Sequence, residues 1–270
     1  MGLWAFFGIL CAVCALLCAV GFYKFVYFLS IGYGFAVAGG GIFILIGALT
    51  HMTEGTFSWI LILQALLFLA YGFRLSGFLL IREIKNAAYR KTLKEATGDE
   101  KKMPVFVKAT IWIFVSVLYT AQLSPMVFRY VNGTKEDILL PLIGILISVC
   151  GLTIESLADA QKSAQKKENP NMVATKGLYK MVRCPNYFGE IVFWTGVFLA
   201  GITVYRAAWQ WITAILALIS ITYIMFNGAQ RLEKRQNGRY GNMPEYQAYT
   251  AKTPIILPLV PIYHLVKKDK

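Results

Sequence analysis

The stretch Lys176-Gly177-Leu178-Tyr179-Lys180-Met181-Val182-Arg183-Cys184-Pro185-Asn186-Tyr187-Phe188-Gly189-Glu190 leaves a basic loop and enters an apolar segment that runs on to Tyr205. An apolar run of that length can cross a bilayer. A carboxylate at its mouth is costly unless something pairs with it, so Glu190 is a functional candidate by default. Arg183, Pro185, Asn186 and Gly189, just before it, read as a shaped polar pocket at a membrane boundary.

The same pattern recurs outward along the chain. Apolar segments of spanning length lie at Leu3–Phe22, Val26–Thr50, Phe57–Ile81, Val105–Leu123, Ile138–Ala158, Tyr187–Tyr205 and Ala208–Asn227. The 270 residues are 57% hydrophobic, with a mean hydropathy of +0.56, beyond what a soluble domain carries. Continuous apolar runs, rather than alternating ones, exclude a transmembrane barrel and leave helices. The predicted fold is all-α: a polytopic membrane protein of about seven transmembrane helices, in one domain covering 1–270. The first segment lacks a basic leader and is long for a signal peptide, so it is expected to stay as a helix.

A net charge of +13 invites a nucleic-acid reading, but the cations are not distributed for one. They follow the third segment (Arg82 to Lys102), the fifth (Lys162 to Arg183) and the seventh (Arg231 onward), while the alternate loops carry few. That alternation is the positive-inside pattern, with the C-terminus cytoplasmic and the N-terminus outside. Membrane lipids, not nucleic acid, are the partners expected for most of this charge.

Polar groups in apolar segments are the places to look for chemistry. On the third helix Gln64, Tyr71, Arg74, Phe78 and Arg82 form one stripe descending toward the cytoplasmic end. The stripe is either polar glue with a snorkelling arginine or a substrate-binding face. Glu155 and Asp159 share a face of the fifth helix and are followed by Lys162; they either hydrogen-bond a ligand or pair with nearby cations. The tail holds Arg231, Glu233, Tyr240, Tyr246 and Tyr249, either an interfacial helix or a lid over a planar group. Cys11, Cys14 and Cys18 lie on one helix face without a fourth ligand, and read as packing residues rather than a metal site. No phosphate-binding loop, dinucleotide glycine motif or nucleophile elbow is present, so any nucleotide cofactor needs a helical pocket.

Gly177 to Glu190, with Trp194, resembles the C-terminal signature of membrane steroid 5α-reductases and their bacterial relatives, the domain of unknown function 1295 family. Glu155 and Asp159 fall in the equivalent place before it. The tail from Glu233 through Arg239-Tyr240-Gly241, Tyr246, Tyr249 and Thr253-Pro254 fits, and Tyr71 with Arg74 matches a Tyr-x-x-Arg on the third helix. The resemblance covers roughly 64–258 and is tightest over 151–200. It implies a reductase-like core at 57–258, with residues 1–56 as packing helices and the cofactor site formed by cytoplasmic loops.

The resemblance further implies NADPH-dependent reduction of a conjugated carbon–carbon double bond in a lipophilic enone taken from the bilayer, such as a 3-oxo-Δ4 steroid. Tyr71 would be the hydrogen-bond and proton donor. Arg74, Arg82, Glu155, Asp159, Lys162, Arg183, Asn186, Tyr187, Glu190, Arg231, Glu233, Tyr240 and Tyr246 would line the cofactor. In the steroid enzymes an acid on the second helix helps hold the keto group, whereas here Ser30–Phe35 contains none. Glu54, the acid ahead of the third helix, is the other catalytic candidate, although its loop is predicted at the opposite face. Cys184 stands where many relatives have His. Two alternatives stay open: an S-adenosylmethionine-dependent isoprenylcysteine or phospholipid methyltransferase, which shares a related core, and a lipid-binding protein without catalysis.

Overall fold

The computed structural model describes residues 2–51, 58–85, 90, 103–134 and 136–266. The helices are α1 (Leu3–Cys18), α2 (Ile31–His51), α3 (Trp59–Lys85), α4 (Val105–Asn132), α5 (Leu139–Glu168), α6 (Pro185–Ala200), α7 (Ala208–Tyr240) and α8 (Pro244–Lys252). Among the described residues there is no strand. Seven of the helical segments are long and apolar enough to cross a membrane, so the chain is an integral multi-pass membrane protein.

The predicted spans match in number and place, and differ at their ends. α4 continues past Leu123, through Pro125, to Asn132. A proline is tolerated in a spanning helix because its neighbours re-satisfy the freed backbone group. α4 ends where the Gly133 N–H closes on the Arg129 carbonyl at 2.9 Å. α5 and α7 continue as helices beyond their apolar stretches, to Glu168 and Tyr240. Their charged ends are rich in good helix formers, and α7 runs on through Gly228 and Gly238.

The chain divides into two compact units, 1–145 with 198–217, and 146–197 with 218–270. In the first, α2 and α3 cross at glycines: a Cβ on Gly72 would lie 2.2 Å from the Gly34 carbonyl oxygen. Ser76 Oγ on α3 donates to the Ile31 carbonyl of α2 at 2.7 Å. Arg129, fully buried, donates to the Ala200 carbonyl at 2.6 Å, to Thr203 Oγ1 at 3.0 Å and to Asp137 Oδ2 at 3.0 Å. A cation thereby caps the C-terminus of α6, where the carbonyls and the dipole favour one. Phe128, Val204, Tyr205 and Ala214 form the apolar cluster around it.

In the second unit α5 and α6 cross at Gly151 and Gly189. A Cβ on Gly151 would meet the Phe193 nitrogen at 2.4 Å, and one on Gly189 would meet Glu155 Cγ at 2.7 Å. Ser148 Oγ fastens the same crossing by donating to the Phe193 carbonyl at 2.9 Å. α8 starts with Pro244 at its first turn beside Glu245 and ends at Lys252, the order that suits the helix dipole.

Candidate cofactor and substrate sites

The signature run of the second unit is built in three steps. Gly177 has φ +68°, and Gln161 lies where its side chain would be, so only glycine fits. Gln161 Oε1 accepts from the Leu178 N–H at 2.8 Å, and Gln165 Oε1 accepts from the Thr175 and Lys176 N–H groups at 2.8 Å. The Arg183 and Cys184 N–H groups then donate to the Pro254 and Ile255 carbonyls at 2.9 Å. Pro185 opens α6, a position where its missing N–H costs nothing.

Arg183 and Glu190 are both buried by this geometry. Glu190 Oε1 accepts from Trp194 Nε1 at 3.0 Å, one turn along α6. The tight Gly151–Gly189 crossing brings Glu155 of α5, also buried, against the residue preceding Glu190. Arg183 Nη2 donates to Glu233 Oε1 at 2.8 Å and to the Tyr263 carbonyl. Its Nε and Nη1 make no hydrogen bond among the described residues. The nearby Tyr246 hydroxyl donates instead to Asn237 Oδ1 at 2.7 Å.

Glu233 is saturated by the chain itself. Besides Arg183 it takes His264 Nδ1 at 3.0 Å and the N–H groups of Leu265 and Val266 at 2.8 and 3.0 Å. It therefore clasps the segment that follows α8. Asp159, Lys162, Asn186 and Tyr187 are half-buried around the same loops, and Arg231 is exposed on α7.

The tail tyrosines pack rather than stand open. Tyr240, Tyr246 and Tyr249 are buried with Val173 in one cluster. Tyr249 donates to the Tyr179 carbonyl at 2.7 Å, and Lys166 Nζ donates to the Tyr240 hydroxyl at 3.0 Å. Burial pushes the Tyr246 hydroxyl up to about 12, with the Arg183 charge opposing, and raises Tyr179 and Tyr249 likewise. The Cys184 thiol, fully enclosed, is pushed up to about 12 by burial. It is a packing group at neutral pH, not a nucleophile.

A cavity of about 700 Å³ opens in this unit beside Gln165, Lys176, Lys180, Tyr249 and Lys252. None of the candidate cofactor residues lines it. Its three lysines face Glu168 and Glu245, so its charge is nearly balanced.

In the first unit Tyr71 is 0% exposed on α3. The Tyr33 ring meets it edge-on at 5.8 Å and stacks on Tyr119 at 4.8 Å. Tyr33 belongs to the stretch of α2 where the sequence shows no acid. Burial declines down the α3 stripe: Gln64 and Tyr71 are buried, while Arg74 and Arg82 are half-buried. Arg82 lies 6.0 Å over the Phe78 ring. Glu54 falls outside the described residues.

One acid escaped the sequence reading. Glu83, buried near the end of α3, binds Lys24 and accepts from the Tyr27 hydroxyl at 2.6 Å. The carboxylate holds the Lys24 ammonium above its ordinary value. An acid beside a spanning segment was the available signal; its partners, 56 and 59 residues away, left none.

Residues 34–253 match the family model described as Protein of unknown function (DUF1295). The chain belongs to the DUF1295 family. A protein named steroid 5-alpha-reductase DET2, from Gossypium hirsutum, is 40% identical to this DUF1295 chain over 57 residues, 20% of the chain and 22% of that protein. The match thus spans less than a quarter of the relative's length. It agrees with a steroid 5α-reductase-like family. No solved structure matches.

Proposed function

We propose that the chain is an NADPH-dependent membrane reductase of a conjugated carbon–carbon double bond in a lipophilic enone, with its basic loops and C-terminus on the cytoplasmic side. The observation that carries the cofactor half is Arg183, a buried guanidinium with Nε and Nη1 unpaired among the described residues. Such donors fit a phosphate group, which arginine binds in two-pronged fashion. Glu155, set against Gly189 by the crossing of α5 and α6, and Glu190, the next residue of α6, fit hydroxyl or amide donors of the same cofactor. Asp159, Lys162, Asn186, Tyr187 and Arg231 are proposed to complete its surroundings.

When bound, the reduced nicotinamide supplies the hydride for the β-carbon of the enone. Tyr71 donates a hydrogen bond to the substrate carbonyl and stabilises the negative charge that grows on that oxygen. It then supplies a proton, so that one hydride and one proton together saturate the double bond. Burial keeps water from Tyr71, and the Tyr33 ring fixes its orientation. Glu233, Tyr240 and Tyr246 act on the cofactor indirectly, by holding Arg183 and the surrounding loops.

The test is the purified protein with NADPH and a panel of 3-keto-Δ4 steroids, followed at the nicotinamide absorbance band. Oxidation of NADPH that depends on the steroid is expected. Thermal stabilisation by S-adenosylmethionine and not by NADPH would overturn the proposal in favour of a methyltransferase.

A further inference from the structure

Gln64 and Gln122 are buried in the first unit with no hydrogen-bond partner among the described residues. Each is 2% exposed, and neither amide oxygen nor amide nitrogen has a partner among the described residues. Ser124 Oγ, fully buried, is in the same position. All three lie in helices long and apolar enough to cross a membrane, where an unmade hydrogen bond is costly.

These groups occupy neighbouring levels. A Cβ on Gly40 of α2 would lie 2.3 Å from Leu123, the residue after Gln122; one on Gly41 would lie 3.0 Å from Phe68, one turn from Gln64. Adjacent residues of α2 thus pack against α4 beside Gln122 and against α3 one turn from Gln64. Gln64 also shares the face of α3 that carries Tyr71, two turns away, about 10 Å along the axis. Tyr119, stacked on the Tyr33 that touches Tyr71, is one turn before Gln122.

We infer that Gln64 and Gln122 recognise a second oxygen on the lipophilic substrate. This rests on the enone-reductase proposal: with the enone carbonyl at Tyr71, the substrate is a rigid apolar molecule carrying a hydroxyl or carbonyl about 10 Å from it. A carboxamide both donates and accepts, so either oxygen type is satisfied. A substrate with an apolar far end leaves the amides unpaired and is disfavoured.

The experiment compares a 3-keto-Δ4 steroid bearing an oxygen at the far end of its ring system with its deoxy analogue, on the full-length protein and on Gln64→Leu and Gln122→Leu. The wild type is expected to prefer the oxygenated steroid by about 10- to 100-fold in kcat/KM, the size of an unsatisfied buried polar group, and the ratio is expected to collapse toward one in the variants. Gln64→Leu is also expected to raise Tm without ligand, because it removes an unpaired amide; an amide that merely glues helices would lower it. Equal use of both steroids by the wild type, or an unchanged ratio in both variants, overturns the inference. If neither steroid is reduced, the reductase proposal fails separately. Ligand-induced thermal stabilisation then decides: stronger for the oxygenated steroid and lost in the variants sustains the inference, and equal shifts refute it.

Discussion

Arg183 Nη2 donates to Glu233 Oε1 at 2.8 Å, and the two side chains are only 2% and 1% exposed. The pair joins the loop before α6 to the end of α7, and Glu233 in turn holds His264 and the N–H groups of Leu265 and Val266. Removing the carboxylate leaves a buried guanidinium without its counter-charge. Glu233→Ala is expected to cost about 3–5 kcal/mol, seen as a lower Tm. Faster proteolysis within 254–266 should accompany it. An unchanged Tm would show that the clasp carries no stability.

The crossing of α5 and α6 makes a different demand. A Cβ on Gly189 would sit 2.7 Å from Glu155 Cγ and 2.8 Å from the Gly151 carbonyl oxygen, so the helices must separate to admit it. Gly189→Ala is expected to destabilise by about 1–3 kcal/mol and to weaken NADPH binding by displacing Glu155 and Glu190. Gly238, where an added Cβ meets nothing within 4 Å, is the control: Gly238→Ala should leave Tm and NADPH affinity nearly as they were.

Alkaline pH should loosen the second unit. The Cys184 thiol is pushed from 9.0 to about 12, and the Tyr246 hydroxyl from 10.0 to about 12, in both cases chiefly by burial. Both groups are neutral when protonated, and the folded chain holds their protons more tightly than the unfolded chain. Their contribution is therefore fully present below pH 9 and is lost as the pH rises toward 12. Tm measured from pH 8 to 11 should fall, and Cys184→Ala with Tyr246→Phe should flatten the fall. A wild-type Tm that rises over this range contradicts the burial argument.

Much of the fold was legible because lipid imposes a simple rule: each apolar run long enough to cross had to be a helix. The helix ends were not legible, since Pro125 stops a helix in water but not in this setting, and α5 and α7 run on past their apolar stretches, α7 even through Gly228 and Gly238. Gly177, Arg183 and Glu190 could be singled out because glycine, arginine and glutamate are conspicuous at a membrane boundary. The unions that give them meaning could not. Arg183 finds Glu233 50 residues later, and Lys24 finds Glu83 59 residues later, with no periodic pattern to announce either. The packing of the tail tyrosines was not legible either: density along the chain says nothing of burial, and Tyr240, Tyr246 and Tyr249 are buried in one cluster with Val173.

Tyr71 is the residue on which the proposed chemistry turns. Tyr71→Phe keeps the ring and its packing against Tyr33 while removing the hydroxyl. It is expected to lower kcat by about 10²–10⁴-fold, with the KM for NADPH little changed. An equal loss of NADPH binding would move Tyr71 from the substrate to the cofactor.

The decisive measurement follows one hydrogen. The purified protein is incubated with an enone steroid and NADPH carrying deuterium at the transferable position of the nicotinamide, and the product is examined by mass spectrometry and NMR. The expected result is a saturated ketone with one deuterium on the former β-carbon. Its α-hydrogen should come from water. A recovered enone with no deuterium incorporated, under conditions where NADPH binds, would contradict the assignment of this chain as a reductase of conjugated double bonds.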